Sequence, residues 1–574
     1  MSLTRIEDTI MEKKKLFINH RYYYFITELF VGIALMGVEM SASRLISVYF
    51  SSSQIVWTII IGVIMVAMAA GNYIGGRQAD KKPSYLRLYL ELLFAGTYIV
   101  LIPFLGRFVI AGISVFFALF VTKGLVIWSA LFSCLILFAP PLLFLGKVTP
   151  SLIKYSLGEK VSGKVIGLLE ALNTIGSIVG TFLPTFLTIP FIGTSNSFVI
   201  FGSMIAALGL IYSITYFIDK FKNKPQVVEQ TESEPQPEEN KKECKKDIKS
   251  CVLAGICMTI WIFGMVISTN SSFIFWDEKN MVVEKESMYN YLKVDKIGQT
   301  TYFSTNALYG VQSCINDDFS LTGMYYDNLL ISPYLVKENP KVLVLGNGTG
   351  TYATMMKDYL HCECDITAIE IDQRIIDISY EYFQMNEDVK VICDDGRNYI
   401  ARDNNKYDII LVDAYSSISA PFHMTTTEFF TLVKDHLNDD GIMMMNVNMY
   451  SERKGSISAA LCDTAYGVFD NLYSYLVPGG SGVEVYASKN KETPLLEKVN
   501  SVHVSDVALQ NVFERMKANI KPYEDTGIRL YDDTADVEMR SIWALDELIQ
   551  NELEYYRRIY REKGLKGLIE ELLG

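Results

Sequence analysis

A series of uncharged apolar runs before residue 270 limits most sharply what this chain can fold into. They lie at 22–46, 54–76, 86–104, 125–146, 164–190, 196–217 and 251–268. A helix needs about 20 such residues to cross the hydrocarbon core of a bilayer. With 50% hydrophobic and 20% charged residues over 574 positions, a wholly soluble or disordered chain is excluded, and the length exceeds one ordinary core. Lys+Arg number 52 against 65 Asp+Glu, a formal charge of −13. That balance provides no basic footprint, so no nucleic-acid partner is expected.

A further apolar stretch, 108–121, is short and bounded by Arg107 and Lys123, and reads as a short span, a re-entrant piece or an interfacial helix. Basic residues cluster before the first run, at Arg77, Lys81, Lys82 and Arg87, and at Lys147, Lys154, Lys160 and Lys164. Such clusters favour the cytoplasmic face, and all three share it if 108–121 does not cross. The parity of spans then decides the compartment of everything after residue 270. The expected location is a multi-pass cell (inner) membrane with the soluble part cytoplasmic, unless parity places it outside.

Glu28, Glu39, Arg44, Glu91 and Glu170 lie in or at the ends of these runs, where charge is costly and points to function or interhelical pairing. Gly163-x-x-x-Gly167 and Gly176-x-x-x-Gly180 allow helices to pack closely. The nine cysteines and five histidines are scattered without ligand spacing, so no metal site is expected.

The organisation read from the chain is a multi-span helical domain over 1–218, a charged disordered linker over 219–249 and a final span at 250–270. A small β-strand subdomain follows at 280–335, then a Rossmann-like domain at 336–540 and a C-terminal helix at 541–574, which overlaps an amphipathic helical stretch at 536–561. The small unit carries short strands at 288–294, 300–304 and 309–314. From Lys341 onward strands and helices alternate, which implies a doubly wound, mostly parallel sheet.

Val342-Leu343-Val344-Leu345-Gly346-Asn347-Gly348-Thr349-Gly350 is a buried strand entering a glycine-rich turn and a helix. Glycines let the backbone turn tightly and approach a ligand. The next strand ends Glu370-Ile371-Asp372, placing an acid about twenty residues on, where it can accept ribose hydroxyls. Asp394-Asp395-Gly396-Arg397 follows a third strand and Asp413 ends a fourth. Acids at the carboxyl ends of successive strands converge on the crevice where such sheets bind ligands.

This constellation resembles the spermidine synthase (polyamine aminopropyltransferase) family, whose fold is shared with class I methyltransferases. The likeness runs over roughly 285–540, through Glu286 to Asn290, Gly310 to Ser313, Tyr325-Tyr326-Asp327, the glycine turn, Asp395-Gly396-Arg397, Tyr407 to Asp413, Thr425 to Phe430 and Tyr531-Asp532-Asp533. The helical half is similar to bacterial membrane-fused members. The family pattern has a second acid three residues after the first, where this chain has Ser416, and an aspartate where it has Thr349.

The resemblance implies decarboxylated S-adenosylmethionine as donor, or S-adenosylmethionine itself, with no metal. Gln312, Gly346, Gly348, Gly350, Glu370, Asp372, Asp395 and Gly396 would hold it, Glu370 on the ribose and Asp395 on the adenine side. Asp413 would be the catalytic acid assisted by Tyr325, with Tyr415, Asp327 and Asp533 on the acceptor. The expected partners are a small-molecule amine, the lipid bilayer and a second copy of the chain. A methyltransferase, or a transporter or sensor with a non-catalytic nucleoside- or polyamine-binding domain, stands as the alternative.

Overall fold

The computed structural model describes the chain apart from residues 1–20, 51–52, 122, 158–161, 223–237, 274–278, 306–309, 416–419, 449, 452, 470, 479–481, 535 and 574. It divides into two compact units, one formed by Met1–Ile46, Val56–Ile113 and Ser129–Phe275, the other by Ser47–Ile55, Ser114–Trp128 and Trp276–Gly574.

Among the described residues, the helical part holds five helices long and apolar enough to cross a membrane, or six if a pair bent by 48° at Leu125–Leu137 and Ala139–Ser156 is one span. Pro140 and Pro141 stand at that bend, where proline cannot donate an intrahelical bond. The stretch 108–121 falls almost wholly inside one continuous helix, Tyr85–Phe120, so it is the end of an existing span. The longest candidate, Gly163–Lys220, has 58 residues, which at 1.5 Å each is about 87 Å, far more than one crossing needs. Gly193 interrupts it with φ 83° and ψ 169°.

Packing within this unit shows that the chain reverses there. A Cβ on Gly176 would lie 2.2 Å from Leu29 O and one on Gly180 2.2 Å from Ile33 O, so this helix ascends alongside Arg21–Phe50. After Gly193 the order inverts: Phe201 abuts Gly37, and Tyr23 donates to Leu208 O at 2.7 Å. The Gly176/Gly180 pair thus makes the close approach its spacing suggested, whereas nothing lies within 4 Å of a Cβ at Gly163 or Gly167.

The expected linker is corrected at both ends. Residues 219–222 finish the helix Ile189–Lys222, and Glu238–Thr269 makes 238–249 the start of the last span's helix. Residues 223–237, its centre, lie outside the described residues.

In the second unit a four-stranded antiparallel sheet comes first: β1 (Met281–Glu286), β2 (Tyr291–Ile297), β3 (Thr300–Thr305) and β4 (Val311–Asn316). The sequence reading gave three strands here; β1 was missed because its Met-Val-Val start is followed by three charged residues. The larger sheet has eight strands: β5 (Lys341–Leu345), β6 (Asp365–Glu370), β7 (Lys390–Cys393), β8 (Tyr407–Val412), β9 (Leu437–Val447), β10 (Leu472–Leu476), β11 (Val483–Ser488) and β12 (Lys521–Pro522), in the order β12-β10-β11-β9-β8-β5-β6-β7. β5 through β9 pair in parallel, and β11, β10 and β12 are antiparallel. Two apolar cores cover its faces, one around Val344, Ile366 and Met444, the other around Leu345, Phe429 and Met445. This is the α/β Rossmann-like fold expected.

Strand order reverses at β5, between β6 on one side and β8 on the other. Open α/β sheets bind ligands at that switch point, beyond the carboxyl ends of the strands.

Candidate active site

The glycine turn leaves β5 under tight constraint. Gly346 and Asn347 both donate backbone N–H to Ile369 O, at 3.0 and 2.9 Å, and Asp413 N donates to Leu345 O at 2.9 Å. Gly346 has φ 90°, and a Cβ there would lie 2.6 Å from Asp413 O, so only glycine lets the ends of β5 and β8 approach this closely. The turn continues through Gly348 (φ 53°) and Gly350 (φ 80°), which opens the helix Thr351–Thr354.

Glu370, at the end of β6, accepts from Gly348 N at 2.8 Å and Asp372 N at 3.1 Å. Burial pushes its pKa up to about 7 against the pull of those amides. Two buried polar atoms of the turn, Asn347 Nδ2 and Thr349 Oγ1, have no partner. Such groups are costly unless something pairs with them, and here they flank the switch point. Gln312 sits half-buried on β4, next to Ser313, whose Oγ is 3.4 Å from a Cβ built on Gly348.

Asp395 caps the helix Gly396–Arg402, accepting from Asn398 N at 2.8 Å through Oδ1 while Oδ2 meets His423 Nε2 at 2.9 Å. Gly396 keeps clear of Met424, whose Cε would stand 3.1 Å from a Cβ.

Asp413 is the centre of the second cluster. Tyr325 donates its hydroxyl to Oδ2 at 2.6 Å, and Asn446 donates Nδ2 to Oδ1 at 2.9 Å. Burial raises its pKa to about 6, and those two bonds oppose the rise. Tyr325 and Asp413, 88 positions apart in sequence, are thus brought into contact.

Three of the expected residues are engaged with neighbours of their own, and a fourth faces solvent. Asp372 is a helix cap, accepting from Arg374 N at 3.1 Å, and its other oxygen takes the Ser287 hydroxyl. Asp327 closes its own loop, accepting from Thr322 N, Thr322 Oγ1 and Gly323 N. Tyr415 is 2% exposed and its hydroxyl goes to Met424 O at 2.8 Å. Asp533 is exposed; its neighbour Asp532 reaches inward instead, pairing bidentately with Arg397 at 2.6 Å in both bonds. Ser416 lies outside the described residues.

Sequence reasoning missed Asn446, Glu484 and Asn328. The signal was present for two of them: each is a lone polar residue in an apolar strand, Met-Met-Met-Asn-Val and Val-Glu-Val-Tyr. Glu484 Oε1 accepts from Asn328 Nδ2 at 2.7 Å and Oε2 from Tyr486 OH at 2.6 Å.

Residues 324–497 match the family of the spermine/spermidine synthase domain. The chain is 38% identical over 369 residues to the probable polyamine aminopropyl transferase of Bifidobacterium longum (strain NCC 2705), covering 61% of this chain and 81% of that one. The chain belongs to the polyamine aminopropyltransferase family. It is also 26% identical over 274 residues to the polyamine aminopropyltransferase of Vibrio vulnificus (strain CMCP6), covering 46% of this chain and 86% of that relative. Among solved structures, a probable spermidine synthase from Corynebacterium glutamicum aligns with 44% of this chain and 97% of its own at 14% identity and a TM-score of 0.35. As an aminopropyltransferase of the spermidine synthase class, the protein is a transferase, and the two clusters lie within or beside the matched segment.

Proposed function

We propose that this chain is a membrane-anchored aminopropyltransferase that moves an aminopropyl group from decarboxylated S-adenosylmethionine to an amine acceptor. One observation carries the reading: a carboxylate, Asp413, held by Tyr325 and Asn446 beside the glycine turn at the switch point of the sheet. Glu370, Gln312, Asp395 and the amides of Gly346 to Gly350 would bind the nucleoside. The unpaired Asn347 Nδ2 and Thr349 Oγ1 support a polar ligand in that place.

In the reaction, the acceptor nitrogen forms a bond to the carbon beside the sulfonium as the carbon–sulfur bond breaks. The sulfur leaves as the neutral thioether methylthioadenosine, and the proton lost by the amine passes to Asp413. A carboxylate with a pKa near 6 is mostly ionised at neutral pH yet still basic enough to help, the balance that general bases require. Both reactants are cationic, and an acidic site favours both.

The membrane anchor is the set of long apolar helices before Thr269. The test of the chemistry is the thioether released when the full chain in detergent is supplied with an amine and either donor. Methylthioadenosine from the decarboxylated donor is expected. S-adenosylhomocysteine from S-adenosylmethionine would replace this reading with a methyltransferase.

A further inference from the structure

Three strands beyond the switch point set polar groups side by side. Asp413 follows β8, Asn446 lies on β9, and Glu484 on β11 is the direct register partner of Asn446. Directly opposed residues of antiparallel strands share one face, with Cβ atoms about 5 Å apart. Asn446 and Glu484 are each 0% exposed. The Asn446 amide is oriented by chemistry: its Nδ2 donates to Asp413 Oδ1 and to Asn448 Oδ1, each at 2.9 Å, two acceptors that an oxygen could not serve. Its Oδ1 is therefore turned away from Asp413, and it is buried with no partner.

The helical turn Tyr326–Leu329 and the tyrosine before it tie both acids to one element. Tyr325 holds Asp413 and Asn328 holds Glu484. Among the described residues, no ion pair reaches Asp413 or Glu484. Arg515 acts on Asp327 and on Tyr475, the register partner of Glu484 on β10, without an ion pair to either buried acid. Two buried acids without an ion pair, and an unpaired buried carbonyl oxygen, suit a ligand that brings its own positive charge and several N–H donors.

Resting on the aminopropyltransferase reading, we infer that Glu484 and Asn446 Oδ1 form the seat for the second ammonium of a diamine whose first amine reacts at Asp413. β8 and β11 are two strand spacings apart, about 10 Å, so the two ends of an aliphatic diamine have separate places. Ser416 stands where the family pattern has its second acid; Glu484 supplies a carboxyl group from a different strand, one that gives up its proton to solvent when the ammonium binds. Glu484 is thereby a specificity-determining residue, separating diamines from monoamines.

The test uses the full chain in detergent, with decarboxylated S-adenosylmethionine and two acceptors of equal length, an aliphatic diamine and the monoamine lacking the far nitrogen. Glu484→Gln keeps the size and can still accept from Asn328. It should raise KM for the diamine at least tenfold, with kcat within about threefold and KM for the monoamine unchanged, a factor of ten corresponding to about 1.4 kcal/mol. Glu484→Asp should recover part of the diamine preference. An unchanged diamine KM in Glu484→Gln, or an equal rise for both amines, would overturn the inference. If Glu484→Gln does not fold, loss of diamine preference in Glu484→Asp supports the assignment and full preference there overturns it. Wild-type chain that releases no methylthioadenosine with any amine would instead refute the transferase chemistry itself.

Discussion

Asp413 and Glu484 are both carboxylates in one domain, yet their surroundings set them different tasks. Asp413 is held by two donors and has a pKa of about 6. With its ionised form as the proposed base, turnover should rise with pH through about 6 and level off above it. Asp413→Asn should abolish that rise and cut kcat by on the order of a hundredfold or more, with donor affinity measured by calorimetry nearly intact. Glu484 is raised from 4.5 to about 8, burial being the main cause and Asp413 and Asp327 adding to it. Between those two values the native state keeps a proton that the unfolded chain has released. Its contribution to stability is therefore full below about 4.5 and is lost as pH climbs through about 8. Urea unfolding at pH values of about 5 and 8 should show a larger loss for wild type than for Glu484→Gln. An equal loss in the two proteins would mean that Glu484 does not carry this proton.

At the scale of elements, the β5 turn shapes the candidate active site through backbone geometry more than through side chains. Gly346 and Gly348 both have positive φ, but their surroundings differ. A Cβ at Gly346 meets the Asp413 carbonyl oxygen at 2.6 Å, whereas at Gly348 the nearest atom is a rotatable hydroxyl at 3.4 Å. Gly346→Ala should cost about 1–3 kcal/mol in urea unfolding and remove turnover by displacing Asp413. Gly348→Ala should cost about 1 kcal/mol, since φ near +53° is an allowed left-handed position. Similar losses from both would place the constraint elsewhere in the turn. The helix Gly396–Arg402 shows a second dependence: Asp395 is its N-cap as well as an expected donor contact, so Asp395→Ala should destabilise by about 1 kcal/mol even without donor.

For the whole molecule, the number of crossings decides the compartment. The reversal at Gly193 divides Gly163–Lys220 in two, which adds one candidate crossing to the six that include the bent pair and makes their number odd among the described residues. The last helix runs in the same direction as Tyr85–Phe120, since Thr97 Oγ1 reaches Cys257 O and Ser268 Oγ reaches Val100 O. Tyr85–Phe120 starts at the basic end of its unit, near Arg87, so the chain leaves its last span on the face away from the basic loops. If every one of these candidate helices crosses and those loops are cytoplasmic, the chain after Thr269 would lie on the opposite side. Its donor would then have to be supplied in that compartment. In intact cells, with the other cysteines replaced, an impermeant thiol reagent should spare Cys244 and label Lys491→Cys. Labelling of Cys244 alone, or of neither, would show that one helix is re-entrant and that the number of crossings is even.

The membrane helices, the glycine turn and the alternation of strands and helices were legible because each is a local pattern: an uncharged run, a strand followed by glycines, a period. Glu370 and Asp413 were legible for a related reason, as acids at the ends of buried strands. The jobs of Asp372, Asp327, Tyr415 and Asp533 were not, because a motif tells which residue stands at a position and not which neighbours occupy its oxygens. Those neighbours come from afar in the chain: Ser287 for Asp372, Arg397 for the aspartate next to Asp533. Asn446 and Glu484 were visible as polar residues in apolar strands, but their meaning depends on the antiparallel register of β9 and β11. The crossing number likewise rested on a reversal at one glycine within an apolar run. The sequence by itself determined the elements and the chemistry available to them; tertiary structure decided which acids face each other, because cross-strand register and helix reversal are set by packing between distant segments.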